Sequence, residues 1–220
     1  NITKIQPHTM MVCVHVGAGY HSPSKEKQLC KLMKRACREA LAIGGDVLNV
    51  VSTAIRVLED DQMTNAGNGS CLTLDGTVEC DASVMASIVP GRDLPPTNIF
   101  GSIGAVPGVK NPILGALHLA RLRQQGNLSL GRIRPLALVG PAASDWLRNE
   151  GLHVCGIEQY RNFNVCEDKR KLWGQYLQAI RDAEEKRTGE QADSRATAVT
   201  VQEQKERHCN NSSSSNSSSN

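Results

Sequence analysis

Two short stretches of this 220-residue chain gather residue types that could act on a carbonyl or amide centre. The first is Gly17-Ala18-Gly19, which directly follows Val12-Cys13-Val14-His15-Val16. The second is Thr64-Asn65-Ala66-Gly67-Asn68-Gly69. Glycine carries no Cβ and accepts positive φ, so backbone at such positions can approach a reacting group closely. Asn and free backbone N–H groups can donate to an anion or to a developing oxyanion. Each stretch also has a plainer reading, the first as a tight turn and the second as an Asn-Gly-rich loop. A dinucleotide-binding reading of the first fails: Ser22 and then Pro23 stand where a third glycine should open a helix, and no acidic residue stands at a strand end about 20 residues further on. Glu79 and Asp81, two apart, share one face of a strand. They suit general acid–base work or a structural hydrogen-bond network, and the network is the preferred reading. His15, His21, His118 and His153 make no metal-ligand spacing with the cysteines, and no C-x-x-C occurs. His15 is read as a satisfied core histidine.

The elements that must position these residues can be laid out from period and punctuation. Met10–Val16 reads as a buried strand, with Cys13 inside it, ended by Gly17-Ala18-Gly19. Pro23 and Ser24 set up a helix with Ser24 as N-cap and with Leu29, Met33, Ala36 and Ala40 on one face. Gly44-Gly45 breaks it, and Asp46 caps a second helix striped by Val47, Val50, Val51, Ala54, Ile55 and Leu58. Asp75-Gly76 predicts a hairpin joining Cys71–Leu74 to Thr77–Met85. The prolines of residues 89–98 predict a loop, Phe100–Val106 an inner strand, and Asn111-Pro112 a helix through Arg123. Leu136–Val139 reads as a strand and Ala142–Asn149 as a helix. Residues 167–187 read as an amphipathic helix bearing Leu172, Tyr176, Leu177 and Ile180, while the Asn/Ser tail 210–220 lacks the apolar surface needed to order it. The domain organisation expected is a layered region over 1–165, a charged helical insert over 166–209 and the tail.

Composition narrows the function classes. Aromatic residues make up 3% of the chain, so aliphatic side chains must fill the core. A net charge of +3 is too small to argue for direct nucleic-acid binding. No apolar run reaches the length of a membrane span. The eight cysteines sit on elements unsuited to bridging: Cys30 and Cys37 lie on one helix, Cys71 and Cys80 in one hairpin. Free thiols and a cytosolic or nuclear location are expected, and the Asn-x-Ser/Thr sequons are read as chance. The first residue is Asn and residues 1–11 lack a secretory apolar segment, so a fragment boundary is expected there. Lys169-Arg170-Lys171 with Lys186-Arg187 reads equally as a split nuclear-localisation patch or a solvated helix face.

The order of these motifs resembles the asparaginase-type N-terminal-nucleophile hydrolases. Val12–Ser22, then Leu58-Glu59-Asp60-Asp61 with Thr64-Asn65-Ala66-Gly67-x-Gly69-Ser70, then Glu79-Cys80-Asp81-Ala82-Ser83-Val84-Met85 carry the likeness, which extends to about residue 140. Within the family the chain is most similar to the threonine aspartases, or taspases. Val16 stands where most asparaginases have Gly, Gly131-Arg132-Ile133-Arg134-Pro135 precedes an apolar strand, and Asp168-Lys169-Arg170-Lys171-Leu172 opens a charged insert. The resemblance implies an α+β fold, the front half of a four-layer αββα sandwich. It implies that Gly17, Gly19, Asn65 and Gly67 line the active site. It also implies that the carbonyls of Leu58, Glu59, Thr64 and Ala66 would surround a sodium ion, which takes hard oxygen ligands. No organic cofactor is implied.

The nucleophile is expected elsewhere. In this family a Thr freed by cleavage of an Asp-Thr bond attacks through its hydroxyl, and its own α-amine, with pKa near ~8, takes the proton. This sequence has no Asp-Thr step, and Thr197 and Thr200 lack the required neighbours. The chain therefore reads as an α portion whose β portion carries the Thr and the Arg that binds the substrate carboxylate. The expected partners are that β portion, a second αβ pair and protein substrates with an Asp-Gly site. The alternatives are an asparaginase or glycosylasparaginase α portion and an inert product that only associates.

Overall fold

The computed structural model describes residues 10–19, 21–88, 97–160, 162–188 and 190. The Asn/Ser tail, Thr197, Thr200 and most of the loop predicted over 89–98 lie outside these residues. Two compact units divide the chain, Asn1–Trp173 and Gly174–Asn220.

The first unit begins with a helical pair. A single 3₁₀ turn, Pro23–Lys25, feeds α1 (Glu26–Ile43). Ser24 lies inside that turn and so does not cap the helix as expected; its hydroxyl is 2.9 Å from that of Ser22. Gly44 and Gly45, both at positive φ, turn the chain, and Asp46 Oδ1 accepts from Leu48 N at 3.2 Å to cap α2 (Val47–Glu59). Leu32 and Ala36 of α1 pack on Val57 and Leu58, and Ala40 on Val50 and Ala54. Met33 is only half-buried beside that face.

Met10–Val16 departs from expectation. It is extended, yet no described strand pairs with it. Its side chains still alternate: Val12, Val14 and Val16 lie half-buried against the helical pair, while Met11, Cys13 and His15 are exposed. Period-2 patterning decides which side chains turn inward, but a ladder also requires a neighbouring backbone. Between this segment and α2 runs an open apolar groove of about 470 Å³, bordered by the stripe Val47, Val50, Val51, Ala54, Ile55 and Leu58. Val47 and Val51 remain 49% and 40% exposed along it.

The sheet holds three strands in the order β1–β2–β3. β1 (Glu79–Ile88) runs antiparallel to β2 (Thr97–Pro107), which runs parallel to β3 (Ala137–Val139). The predicted hairpin is thus half right. Its Asp75-Gly76 turn forms, closed by Thr73 N donating to Thr77 O at 2.8 Å, but Cys71–Leu74 is not a strand and β1 takes β2 as partner. Asn98, placed in the predicted loop, is inside β2. The register jumps between Cys80↔Val106 and Ala82↔Ile103, so Gly104 and Ala105 oppose Asp81 alone. This is a β-bulge on β2, with Ala105 at φ 48.

Helices cover one face of the sheet. α3 (Pro112–Gln124) crosses β2 at Gly101, where an added Cβ would lie 2.3 Å from Ala116 O. Ala116 and Ala120 are fully buried at that crossing. α4 (Gly140–Asn149) begins two residues earlier than predicted and buries Ala143 and Leu147 against Ile103 and Val106. The opposite face, with Met85 76% and Val139 67% exposed, is open. The fold of the described residues is therefore mixed α/β with one small sheet, and the second sheet of the four-layer expectation is not among them.

Residues 167–173 are helical and close the first unit. Trp173 Nε1 donates to Leu74 O at 3.3 Å, and its ring lies on Gly76, 3.0 Å from where a Cβ would stand. In the second unit residues 174–188 are helical, with Tyr176 and Ile180 exposed. No helix among the described residues is long and apolar enough to cross a membrane.

Candidate active site

The candidate site is built on the chain between α2 and β1. The last carbonyls of a helix have no intrahelical donors and carry partial negative charge. Here the following loop folds back to meet them. Thr64 Oγ1 donates to Leu58 O at 2.6 Å and lies 3.2 Å from Asp61 O. Asp61 N donates to Leu58 O at 3.2 Å, and Met63 N to Asp61 Oδ1 at 3.0 Å. Gly67, at φ 52, lies so close to the helix end that a Cβ there would be 2.4 Å from Glu59 O. A Cβ at Gly69 would be 2.0 Å from Thr64 O. The glycines of this motif thus serve the close approach of the loop to its own helix.

Asn65 occupies the tip of this fold. Its Oδ1 accepts from Cys71 N at 2.8 Å, which leaves the amide Nδ2 as the group free to donate. Asn65 and Gly67 border a cleft of about 240 Å³ together with Ser70, Cys71, Glu79 and Asp81. Asp81 Oδ1 accepts from Ala105 N at 2.8 Å and holds the β2 bulge, in keeping with a structural role for this acid. Cys80 forms the inner wall of the cleft; burial pushes its thiol up from the ordinary value, although Ser70 lies 3.5 Å from its sulfur.

Gly17 and Gly19 do not border this cleft. Gly17 has φ 100, as a tight turn requires, and open space surrounds the Cβ position of both glycines. His15 is exposed, not a core histidine, and its Nδ1 accepts from Gly17 N at 3.2 Å. Cys13, read as buried, is exposed because no described residues cover that side of its extended segment.

Sequence reasoning valued Glu59 for its carbonyl and missed its carboxyl. The residue is 3% exposed. Oε1 accepts from Ile113 N, at the start of α3, at 2.9 Å, while Oε2 has no hydrogen-bond partner among the described residues. Burial pushes its pKa up to about 8, with the Asp60 charge adding to the rise and the Ile113 and Asn111 hydrogen bonds opposing it. The carboxyl is therefore largely protonated at neutral pH. The available signal was a Glu at the last position of an apolar helix, directly before a loop that returns to it.

The four carbonyls assigned to a sodium ion each face another group of the same loop. Leu58 O already accepts from the Thr64 hydroxyl, Ala66 O accepts from Gly69 N at 3.1 Å, and the carbonyls of Glu59 and Thr64 abut Gly67 and Gly69. Among the described residues no group of three His, Cys, Asp or Glu side chains is placed to hold a metal.

The described residues thus form a mixed α/β layer in which a glycine-rich loop turns back on a helix end beside an acidic strand. The asparaginase family profile matches residues 8–208, and the chain belongs to that family. It is 32% identical over 179 residues to a plant-type L-asparaginase of Pyrococcus abyssi, covering 79% of this chain and 50% of that protein. Over 145 residues it is 32% identical to an isoaspartyl peptidase/L-asparaginase of Danio rerio, covering 64% of this chain and 41% of the other. Over 118 residues it is 36% identical to the mouse protein described in the same words, covering 52% and 32%. The chain spans about half the length of the curated relatives it matches.

Proposed function

We propose that this chain is the α portion of an asparaginase-type amide hydrolase, and that a β portion beginning with Thr completes it. The supporting observation is the orientation of Asn65: its oxygen is committed to Cys71 N, so its N–H groups are the ones available to the cleft. In the complete enzyme the Thr hydroxyl oxygen attacks the amide carbon while the Thr α-amine takes its proton. Negative charge then develops on the carbonyl oxygen, where an amide donor is effective. The C–N bond breaks, the protonated amine or ammonia leaves, and water cleaves the resulting ester. The substrates favoured are the side-chain amide of asparagine and isoaspartyl bonds, following the names of the relatives.

A second reading, an endopeptidase cutting after Asp, is favoured by particular residues. Val16 replaces the glycine of most asparaginases. Gly131-Arg132-Ile133-Arg134-Pro135 forms a tied loop in which Arg132 Nε donates to Ser129 O at 3.1 Å and Arg134 Nε to Gly126 O at 2.7 Å. Charged helical sequence follows residue 166.

Co-expression with a family β portion beginning at its Thr decides between them. The pair is offered asparagine, an isoaspartyl dipeptide and a peptide with an internal Asp-Gly bond. Ammonia release or isoaspartyl cleavage supports the first reading, and main-chain cleavage after Asp supports the second. A correctly assembled pair that cleaves none of the three removes both.

A further inference from the structure

The negative end of α2 can be neutralised in two ways, by a cation or by hydrogen-bond donors. Two carbonyl oxygens, Leu58 O and Asp61 O, converge there on one side-chain atom, Thr64 Oγ1, at 2.6 and 3.2 Å. The Thr64 side chain is buried, with the residue 4% exposed, so water does not compete for these contacts. The remaining carbonyls assigned to an ion are turned onto Gly67, Gly69 and the amide of Gly69.

We propose that Thr64 is a positioning residue that takes the place of a bound cation in this chain: its hydroxyl closes the end of α2 and fixes the loop that presents Asn65. A hydroxyl has one proton, and the shorter contact gives it to Leu58 O. Asp61 O receives Thr64 N as well, at 3.4 Å, so the side chain and backbone of one residue tie both carbonyls. Serine retains this hydroxyl. Valine keeps the shape of threonine and removes the donor, so Leu58 O loses the shorter of its two hydrogen bonds and keeps only that from Asp61 N at 3.2 Å. This concerns how the loop is built, and it holds whichever amide the site cleaves.

Hydrogen–deuterium exchange of peptides spanning residues 58–71 tests it on the full chain, in NaCl, KCl and choline chloride of equal ionic strength. The wild type and Thr64→Ser should show the same protection in all three salts. Thr64→Val should exchange faster by about fivefold in each, the equivalent of one lost net hydrogen bond. Protection of the wild-type loop that rises in sodium or potassium over choline overturns the proposal. Unchanged protection in Thr64→Val overturns it too. If Thr64→Val does not fold, the salt series on the wild type and Thr64→Ser still decides, since cation dependence in either contradicts it.

Discussion

Glu59 ends α2 and Asn65 sits in the loop that folds back on it, and they differ in how visible they are from sequence. The Asn-Ala-Gly-x-Gly string announces a built loop, so the loop that carries Asn65 was legible. The cause of its glycines was not, because the surface they approach is the carbonyl edge of α2, set only once the loop has folded back. Glu59 was legible as a backbone position alone, since a carboxyl ending an apolar helix is normally solvated. Asn65→Asp separates two roles. Its oxygens can still accept from Cys71 N, but the donor is gone and a charge is added, so kcat in the assembled enzyme should fall by roughly 100-fold or more while loop exchange stays near wild type. Retained turnover would remove Asn65 from the site. Glu59 gives a pH signature. Its folded pKa, about 8, is raised above the ordinary 4.5, so the stability from its bound proton is full below about 4.5 and is lost as pH rises through about 8. Glu59→Gln keeps a neutral acceptor for Ile113 N. It should be more stable than wild type above pH ~8, by at most ~5 kcal/mol, with the advantage shrinking toward acid. Denaturant titrations of both proteins between pH 5 and 9 would show this, and parallel profiles would contradict it.

At the scale of elements, the helices were readable because caps and 3.6-residue periodicity are local. Asp46 and Pro112 both mark helix starts as predicted, and α2 and α3 end within a residue of expectation. Strand partnership was not readable. Asp75-Gly76 forms its turn, yet β1 prefers the longer β2, which offers nine paired positions against the four residues before the turn. The bulge at Gly104-Ala105 was invisible for the same reason: it depends on a side chain, Asp81, from the other strand. Gly101 carries the clearest prediction here. Gly101→Ala places a methyl group 2.3 Å from Ala116 O and 2.5 Å from Ala120 N, both backbone atoms that cannot swing aside. α3 must lift from the sheet, and the chain should lose ~3 kcal/mol or more in denaturant unfolding. A loss below ~1 kcal/mol would mean that α3 does not cross β2 this closely.

At the scale of the whole molecule, two apolar surfaces among the described residues are left open. One is the groove beside Met10–Val16, and the other is the sheet face carrying Met85 and Val139. The apolar stripe of α2 divides: Val50, Ala54 and Leu58 are buried, while Val47 and Val51 stay exposed along the groove. Sequence alone marks a residue as apolar without saying which body covers it. The proposed β portion is the natural cover, and the isolated chain should therefore self-associate and bind a hydrophobic dye. Val51→Lys should weaken self-association in sedimentation velocity while leaving the unfolding midpoint nearly unchanged, because the side chain is already 40% exposed. A wild-type chain that stays monomeric at high concentration and excludes the dye would oppose this account.

The contact between Trp173 and the turn at Leu74–Gly76 bears on the order in which the chain is made. Leu74 and Trp173 are 99 residues apart, and Lys169 Nζ approaches Cys71 Sγ at 3.5 Å across a similar gap. During synthesis the 73–77 turn emerges early, while the ring that rests on Gly76 is among the last parts of the first unit to be made. Contacts of such sequence separation form late and slowly. A ribosome-bound chain ending short of residue 173 should accordingly leave that turn open to protease, and extension past Trp173 is the step that shuts it.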